Sequence, residues 1–365
     1  MARQTELYSR HEALGGRIVE FAGWLLPVQY PSGPLEEHHT VRRAAGLFDI
    51  DHMGQVVVKG PEALQFLQRV VTMDVSQMAM GEAHYSLICY EDGGIVDDIF
   101  IYRLPDRYFI AINAANTDKD YLWFRYQMGR SKVTVDNVSE ETYMLALQGP
   151  KAAAILQQLT PARLEQMPYH RATENQVAGV PTLIGRTGYT GEDGFELFFP
   201  REKAQWLWDR IMEVGAPLGL KPIGLAARDS LRFEAKMPLY GQEISATINP
   251  IQAGLSWAVA FGKDEFVGRG ALLKAKLEGS AVRLVGLEMI DRGVPRHNYA
   301  VALNGQTIGV VTTGMYAPTL GKYLALAYVP KEQAAPGTEV QVIIRGEAKR
   351  AQVVKTPFYT PAYRR

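Results

Sequence analysis

Two short stretches hold most of the side chains able to do chemistry. GGIVDD (93–98) sets Asp97 and Asp98 side by side in an apolar run, and RTGYTGEDGFEL (186–197) gathers three glycines, Tyr189 and three acids including Glu196. Successive strand residues face opposite sides, so one Asp can enter a concave site while the other meets the surface. A carboxylate in an apolar strand costs free energy unless it is solvated, paired or used. A solvated hairpin edge and a site acid both fit this spacing. The second stretch joins two apolar runs and carries more glycine than a plain turn requires. Its backbone is expected to pass close to something, with Tyr189 and Glu196 beside the gap.

Other candidates are weaker taken singly. In DIDHMG (49–54), His52 reads as a hydrogen-bonded structural histidine. Glu36, Glu37, His38 and His39 adjoin on a helix, where neighbours point about 100° apart and do not converge on one ion. They read as a solvated face, and no metal site is expected. In INAANTDKD (112–120), Asn113 and Asn116 are possible helix caps, or Asn113 offers its amide to a ring with donor and acceptor edges. Arg228, in GLAARDSLRFEAKMPLYGQEI (224–244), can clamp a carboxylate or polar ring, or only pair with Asp229. Trp257 reads as a core aromatic. Neither a Walker A motif, nor G-x-S-x-G, nor a strand-borne G-x-G-x-x-G occurs. Aromatics, amides, an Arg and an embedded carboxylate suit a flat, hydrogen-bonding heterocycle better than a nucleophilic hydrolase.

The elements that position these residues follow from periodicity. QVVV (55–58) is a strand, and Gly60-Pro61 opens a helix carrying Leu64, Leu67, Val70 and Val71. HYSLICY (84–90) and IVDDIFIY (95–102) form a hairpin about EDGG, with a strand at 108–112, a helix over 117–128 and a strand at 132–136. A similar order recurs: strand 143–147, a helix from Pro150, strands 181–185 and 195–199, and an amphipathic helix from about 202. That helix is expected to turn Trp206, Leu207, Ile211 and Met212 inward. Two such units in succession predict an α+β region of two ferredoxin-like lobes. From Val282 the runs are short, β-rich and separated by Gly, Pro and Asn, which predicts an all-β barrel or sandwich after a hinge at 274–281.

Composition narrows the class. The 365 residues carry 39 basic and 39 acidic side chains, so no overall field favours nucleic acid or acidic lipid. The single cysteine, Cys89, excludes an internal disulfide and reads as a buried small hydrophobe. No window approaches the roughly 20 apolar residues that cross a bilayer, and no targeting segment is evident. A cytoplasmic location is expected.

Taken in order, VEFAGWLLPVQY (19–30), VRRAAGLFDIDHMG (41–54), YEDGGIVDD (90–98), INAANTDKD, RTGYTGEDGFEL, GLAARDSLRFEAKMPLYG and TTGMYAPTLGK (312–322) resemble the glycine cleavage system T-protein family of aminomethyltransferases over essentially the whole chain. The resemblance implies two interleaved lobes in residues 1–275, roughly 52–137 and 138–275 with 1–51, and a C-terminal barrel in 280–365. These would be arranged around a central folate channel. It implies that a lipoyl-carrying H-protein delivers an aminomethyl group, that tetrahydrofolate accepts the one-carbon unit to give 5,10-methylenetetrahydrofolate, and that ammonia leaves. By the same resemblance Asp98 is the catalytic acid, beside the pterin's reactive nitrogens, and Glu196 pairs with the ring's amino edge. Tyr85, Asn113, Tyr189 and Arg228 line the folate pocket, with Met53 and Trp257, and Tyr169 as a weaker match.

Three positions depart from the family pattern: Asp51 in DIDHMG, Ala226 in AARD and Lys236 in EAKMPLYG. Asp51 is expected to add charge at the pocket mouth. Lys236 is expected to touch a glutamyl tail or the lipoyl partner, or to be exposed. A folate-dependent demethylase of the same fold and a non-catalytic folate-binding protein are the alternatives. The intact GYTGEDGFE and the absence of a KGCYxGQE signature argue against them.

Overall fold

The computed structural model describes residues 2–360, and the last five positions of the expected 280–365 barrel lie outside the described residues. Strand Gly54–Lys59, helix Ala63–Val70, the hairpin Ala83–Cys89 with Ile95–Arg103, strand Tyr108–Ile112, helix Thr117–Met128 and strand Thr134–Asn137 follow one another as expected. Their strands form an antiparallel sheet in the order 83–89, 95–103, 108–112, 54–59, 134–137. The same succession of elements recurs from Thr142 to Pro222, giving the order 172–177, 180–185, 194–200, 142–148, 45–49, 220–222. The difference is strand Ala45–Asp49, which enters that second sheet from before the first unit, so the second unit is not contiguous in sequence whereas the first is.

Periodicity sorts the faces. One apolar layer joins Val56, Val58, Ile99 and Ile110 to helix residues Phe66, Leu67 and Phe124, and another joins Leu145, Leu147 and Leu197 to Leu207, Trp208 and Ile211. The opposite faces of the two sheets meet each other, through Val57, Tyr102 and Phe109 on one side and Phe48, Met144 and Phe198 on the other. Helices therefore lie outside and the sheets form a central seam. Helix Ala204–Gly215 buries Ala204, Leu207, Trp208 and Ile211, an i, i+3, i+4, i+7 stripe. Trp206, expected inward, is 53% exposed because Trp208 takes the inner place.

Six antiparallel strands between Val282 and Val354 close into the C-terminal barrel. The expected hinge is shorter than read, since helix Arg269–Glu278 runs through its first half. An N-terminal sheet of Arg3–Gln4, Trp24–Gln29 and Arg17–Phe21 completes the mixed α/β region. No helix among the described residues is long and apolar enough to cross a membrane.

Helix Gly33–Arg43 corrects one reading. Only Glu36 is openly solvated; Glu37 and His38 are wholly buried. Glu37 accepts from the Tyr30 and Gly224 backbone amides at 2.6 and 2.8 Å, and His38 bonds Ser230 and Thr319. Their neighbours arrive from distant parts of the chain, which local spacing cannot foretell.

The hairpin turn that precedes Asp97 is docked on the segment after Tyr240: the Ile95 amide donates to the carbonyls of Ser245 and Ile248. A Cβ at Gly94 would stand 1.9 Å from the Ala246 carbonyl oxygen. Gly94→Ala should therefore destabilise the fold by about 1–3 kcal/mol through forced backbone displacement. A urea midpoint unchanged from the parent would refute that close approach.

Candidate functional site

Strand Ile95–Arg103 faces Ala83–Cys89 with Leu87 opposite Asp98, Ile88 opposite Asp97 and Cys89 opposite Ile95, leaving Val96 as the extra residue of a bulge. Such bulges re-aim the side chains beside them. Asp97 does not meet the surface, as alternation alone allowed, but is wholly buried. It accepts from the Asn113 amide at 3.2 Å, Asn113 Nδ2 at 2.9 Å and Asn116 Nδ2 at 2.7 Å. Neither asparagine side chain caps its helix, because the buried carboxylate is the stronger acceptor. Asn113 Nδ2 also reaches Asp98 Oδ1 at 2.7 Å.

Asp98 is half-buried. Burial, and then the Asp97 charge, push its carboxyl up to about 7 against the pull of Asn113 and Tyr85. The Tyr85 hydroxyl faces this carboxyl but makes no well-formed hydrogen bond. Its ring stacks on Trp257 with centroids 5.3 Å apart. Trp257 is 69% exposed, so it is a wall residue and not the core aromatic expected.

The far side of the seam supplies Tyr189, Arg228 and Glu196. The Tyr189 hydroxyl donates to the Pro238 carbonyl at 2.5 Å, and Arg228 lies over its ring at 4.6 Å. Arg228 does not pair with Asp229, which is held by Arg232 at 2.8 Å. Among the described residues its guanidinium has no hydrogen bond or ion pair; burial lowers its pKa, and Tyr189 and Glu196 oppose that. Glu196 Oε2 accepts from Tyr102 at 2.9 Å and Thr187 at 2.6 Å, which leaves Oε1 without a donor among the described residues. Tyr102 belongs to the other sheet, so this bond spans the seam. Spacing gave no sign of Tyr102 or Thr187; only the register of the two sheets brings them to Glu196.

Met53 packs half-buried against the inter-sheet core, and no polar contact ties it to the group above among the described residues. Tyr169 lies under the Arg186 guanidinium, 4.6 Å from its ring centroid. His52 is buried and its Nδ1 has no hydrogen-bond partner, contrary to the expected bonded role; burial and then Arg228 push it down to about 3, so it is neutral.

The glycine motif passes close to protein. A Cβ at Gly188 would fall 1.9 Å from Gln148 Oε1, and one at Gly194 would fall 2.5 Å from Gln148 Nε2. Gln148 in turn donates to the Thr187 carbonyl and accepts from Thr190. Asp193 takes Arg186, and Glu192 takes Arg42 and Tyr359, so Tyr189 and Glu196 are the motif's contribution to the seam. Asp51 is not at a pocket mouth; it is buried in a two-point pair with Arg201, while burial and Asp49 push its carboxyl up to about 8. Lys236 has φ +55°, a backbone state that favours glycine, and its half-buried ammonium pairs with no acid among the described residues. Ala226 is half-buried in helix Leu225–Glu234, and no structural consequence of the extra methyl is evident.

Residues 7–263 match the GCVT N-terminal domain and residues 283–360 the glycine cleavage T-protein C-terminal barrel domain. The chain is 52% identical to an aminomethyltransferase of Symbiobacterium thermophilum, covering 100% of this chain and 99% of that one. It is 50% identical to an aminomethyltransferase of Desulforamulus reducens over 98% of each. The crystal structure of glycine cleavage system aminomethyltransferase T from Bartonella henselae superposes with a TM-score of 0.93 at 35% identity, covering 99% of both chains. The chain belongs to the glycine cleavage T-protein family. It is an aminomethyltransferase of the glycine cleavage system.

The proton on Asp98 has a consequence for stability. Its folded value lies above the unfolded one, so its contribution is complete below about pH 4 and is lost as pH rises through about 7. Asp98→Asn removes that slope. Relative to the parent, the variant should gain stability from about pH 4 to 7, by at most about 1.4 kcal/mol per unit. Denaturant melts across this range test it, and parallel curves for the two chains would contradict the assignment.

Proposed function

We propose that the seam between the sheets binds tetrahydrofolate and that Asp98 is the acid that serves the transfer. The two units are read as interleaved ferredoxin-like lobes which, with the barrel, surround a central channel. The observation that carries this reading is a set of polar groups at the seam that protein does not satisfy. They are the buried Tyr85 hydroxyl beside the Asp98 carboxyl and, across the seam, Glu196 Oε1 and the Arg228 guanidinium of two half-buried residues, all without a partner among the described residues. Buried polar groups ordinarily find partners. A reduced pterin offers an amino edge to Glu196, ring acceptors to Arg228 and a flat face to Tyr85 and Trp257.

Tetrahydrofolate supplies the nucleophilic nitrogen for the one-carbon unit. The lipoylated H-protein is the donor of the aminomethyl group; the carbon–nitrogen and carbon–sulfur bonds break, ammonia is released, the lipoyl sulfur leaves as a thiol, and 5,10-methylenetetrahydrofolate is the product. Glu196 is fixed by Tyr102 and Thr187, so it orients its ligand without rearranging. Asn113 holds Asp98 from one side, and the Asp98 carboxyl, with a value near neutrality, can hold or release a proton and stabilise positive charge beside it. Trp257, open to solvent, lies where a partner's arm would enter. The lone buried cysteine accords with a reducing, cytoplasmic compartment.

Ammonia release from aminomethylated H-protein, with and without tetrahydrofolate, tests the reaction directly, and a folate-independent rate would defeat it. Tetrahydrofolate at about 100 times its Kd should stabilise the fold by about 2.7 kcal/mol, read as a higher Tm, while NAD and ATP should not. Asp98→Asn should keep that folate-dependent rise and lose about 100-fold or more in transfer. Near-normal turnover would remove Asp98 from the role.

A further inference from the structure

Asp120 is a buried acid that the proposed reaction does not use. It lies in the first turn of helix Thr117–Met128 with no exposed surface, and neither carboxyl oxygen has a hydrogen-bond donor among the described residues. Its one paired cation, Lys119, stands 3.9 Å away and is committed elsewhere, donating to the Val96 carbonyl and lying 4.1 Å over the Tyr240 ring. What meets Asp120 is another acid: its carboxyl lies in hydrogen-bonding contact with Asp97, and Asp98 stands beyond. Two carboxyl oxygens in contact repel unless a proton sits between them. Asp97 already takes three bonds from Asn113 and Asn116, the pattern of an anion, so the proton belongs on Asp120. The helix N-terminus favours an anion, but that field is weak beside the cost of burying a carboxylate without donors.

We propose that Asp120 is held protonated and donates a hydrogen bond to Asp97, a positioning residue that fixes the chain Asp97–Asn113–Asp98 and leaves Asp98 as the carboxyl that titrates. Burial and the neighbouring Asp97 both raise its affinity for a proton, and Lys119 alone opposes them. The groups facing this cluster are Asp97 and Asp98 from strand Ile95–Arg103, Lys119 from the same helix and Tyr240 beyond it. Tyr85 and Tyr189 close over Asp98. The consequence for Asp98 rests on the folate reading; the protonation of Asp120 does not.

Infrared spectroscopy of the ligand-free protein decides the matter. In Asp98→Asn at neutral pH, a protonated-carboxyl C=O band should be present and should lose the intensity of one group when Asp120→Asn is added. Asp51, also raised by burial, contributes to both spectra and cancels in the difference. Equal bands in the two proteins overturn the proposal. Should the double variant not fold, carbon NMR of labelled aspartate in the parent replaces it. One carboxyl should keep its protonated shift from about pH 5 to 8, and an Asp120 signal in the anionic position overturns the proposal. In turnover, Asp120→Ala should raise the Asp98 limb of the pH profile and Asp120→Asn, which keeps a donor, should restore it towards the parent. A fall of about one pH unit in either variant means that an anion was removed, and sinks the idea. Absence of any Asp98-dependent limb counts against the Asp98 role, while the spectra still judge Asp120.

Discussion

Asn113 Nδ2 lies 2.9 Å from Asp97 Oδ1 and 2.7 Å from Asp98 Oδ1, so one amide spans two acids that the pleat would send apart. The strand can bring them so near only because the bulge at Val96 interrupts its register. The bulge is seated by the docked turn at Gly93–Gly94, and Asn113 by strand Tyr108–Ile112 in the same sheet. Each feature presupposes the next. Without Asn113, two adjacent carboxyls would share a donor-poor pocket, and a buried charge left unpaired costs about 3–5 kcal/mol. The site's electrostatics and the sheet's geometry are thus one constraint.

A second kind of joint holds the seam at its edges. Arg42 reaches Glu192 of the glycine motif and Glu234 of helix Leu225–Glu234 at 3.1 and 3.0 Å, and covers the Tyr359 ring after the barrel. Arg232 reaches Glu243 at 2.7 Å, and Glu243 accepts from Thr312 and Thr313 of the barrel. Exposed ion pairs contribute about 0–1 kcal/mol, whereas breaking one of these wholly buried pairs leaves a charge without solvent. Their effect is geometric: helix Leu225–Glu234, which carries Arg228, is tied at its C-terminal end both to Arg42 and, through Glu243, to the barrel.

Strands and helices with clean periodicity were legible from the residues, and so were the recurrence of one unit and the β character of the C-terminal part. Helix Thr117–Met128 begins and ends where its pattern does. Strand Ala45–Asp49 was not legible, because it is buried on both faces and pairs with partners about a hundred and more residues away. The same limit explains the misread polar groups. Glu37 and His38 looked solvated, and Asp51 looked like a charge at the pocket mouth, since nothing within a helical turn could satisfy them; apart from the Tyr30 amide, their partners come from residues 201–234 and from Thr319. Asp97 and Asp98 were recognised as a pair, yet which one is buried is set by the bulge and by Asn116, neither visible in spacing. Resemblance marked Tyr85 and Glu196 as pocket residues to expect, and geometry supplied what spacing lacked, namely which of their atoms have no partner among the described residues.

The arrangement also explains why the glycine motif spends so few of its residues on the seam. Its three acids are divided: Asp193 and Glu192 close local and long-range ion pairs, and Glu196 alone has no ion-pair partner among the described residues. If all three faced the seam, their mutual repulsion beside Asp98 would favour protonation and weaken each as a hydrogen-bond acceptor. Drawing two away with arginines leaves one anion opposite one unpaired cation, Arg228. An acceptor and a donor cation set apart in a cleft discriminate by the order of a ligand's polar edges, whereas a uniformly charged cleft attracts any counter-ion. The glycines matter here indirectly. They let the backbone fold against Gln148 closely enough for Thr187, Tyr189 and Glu196 to keep their relative positions.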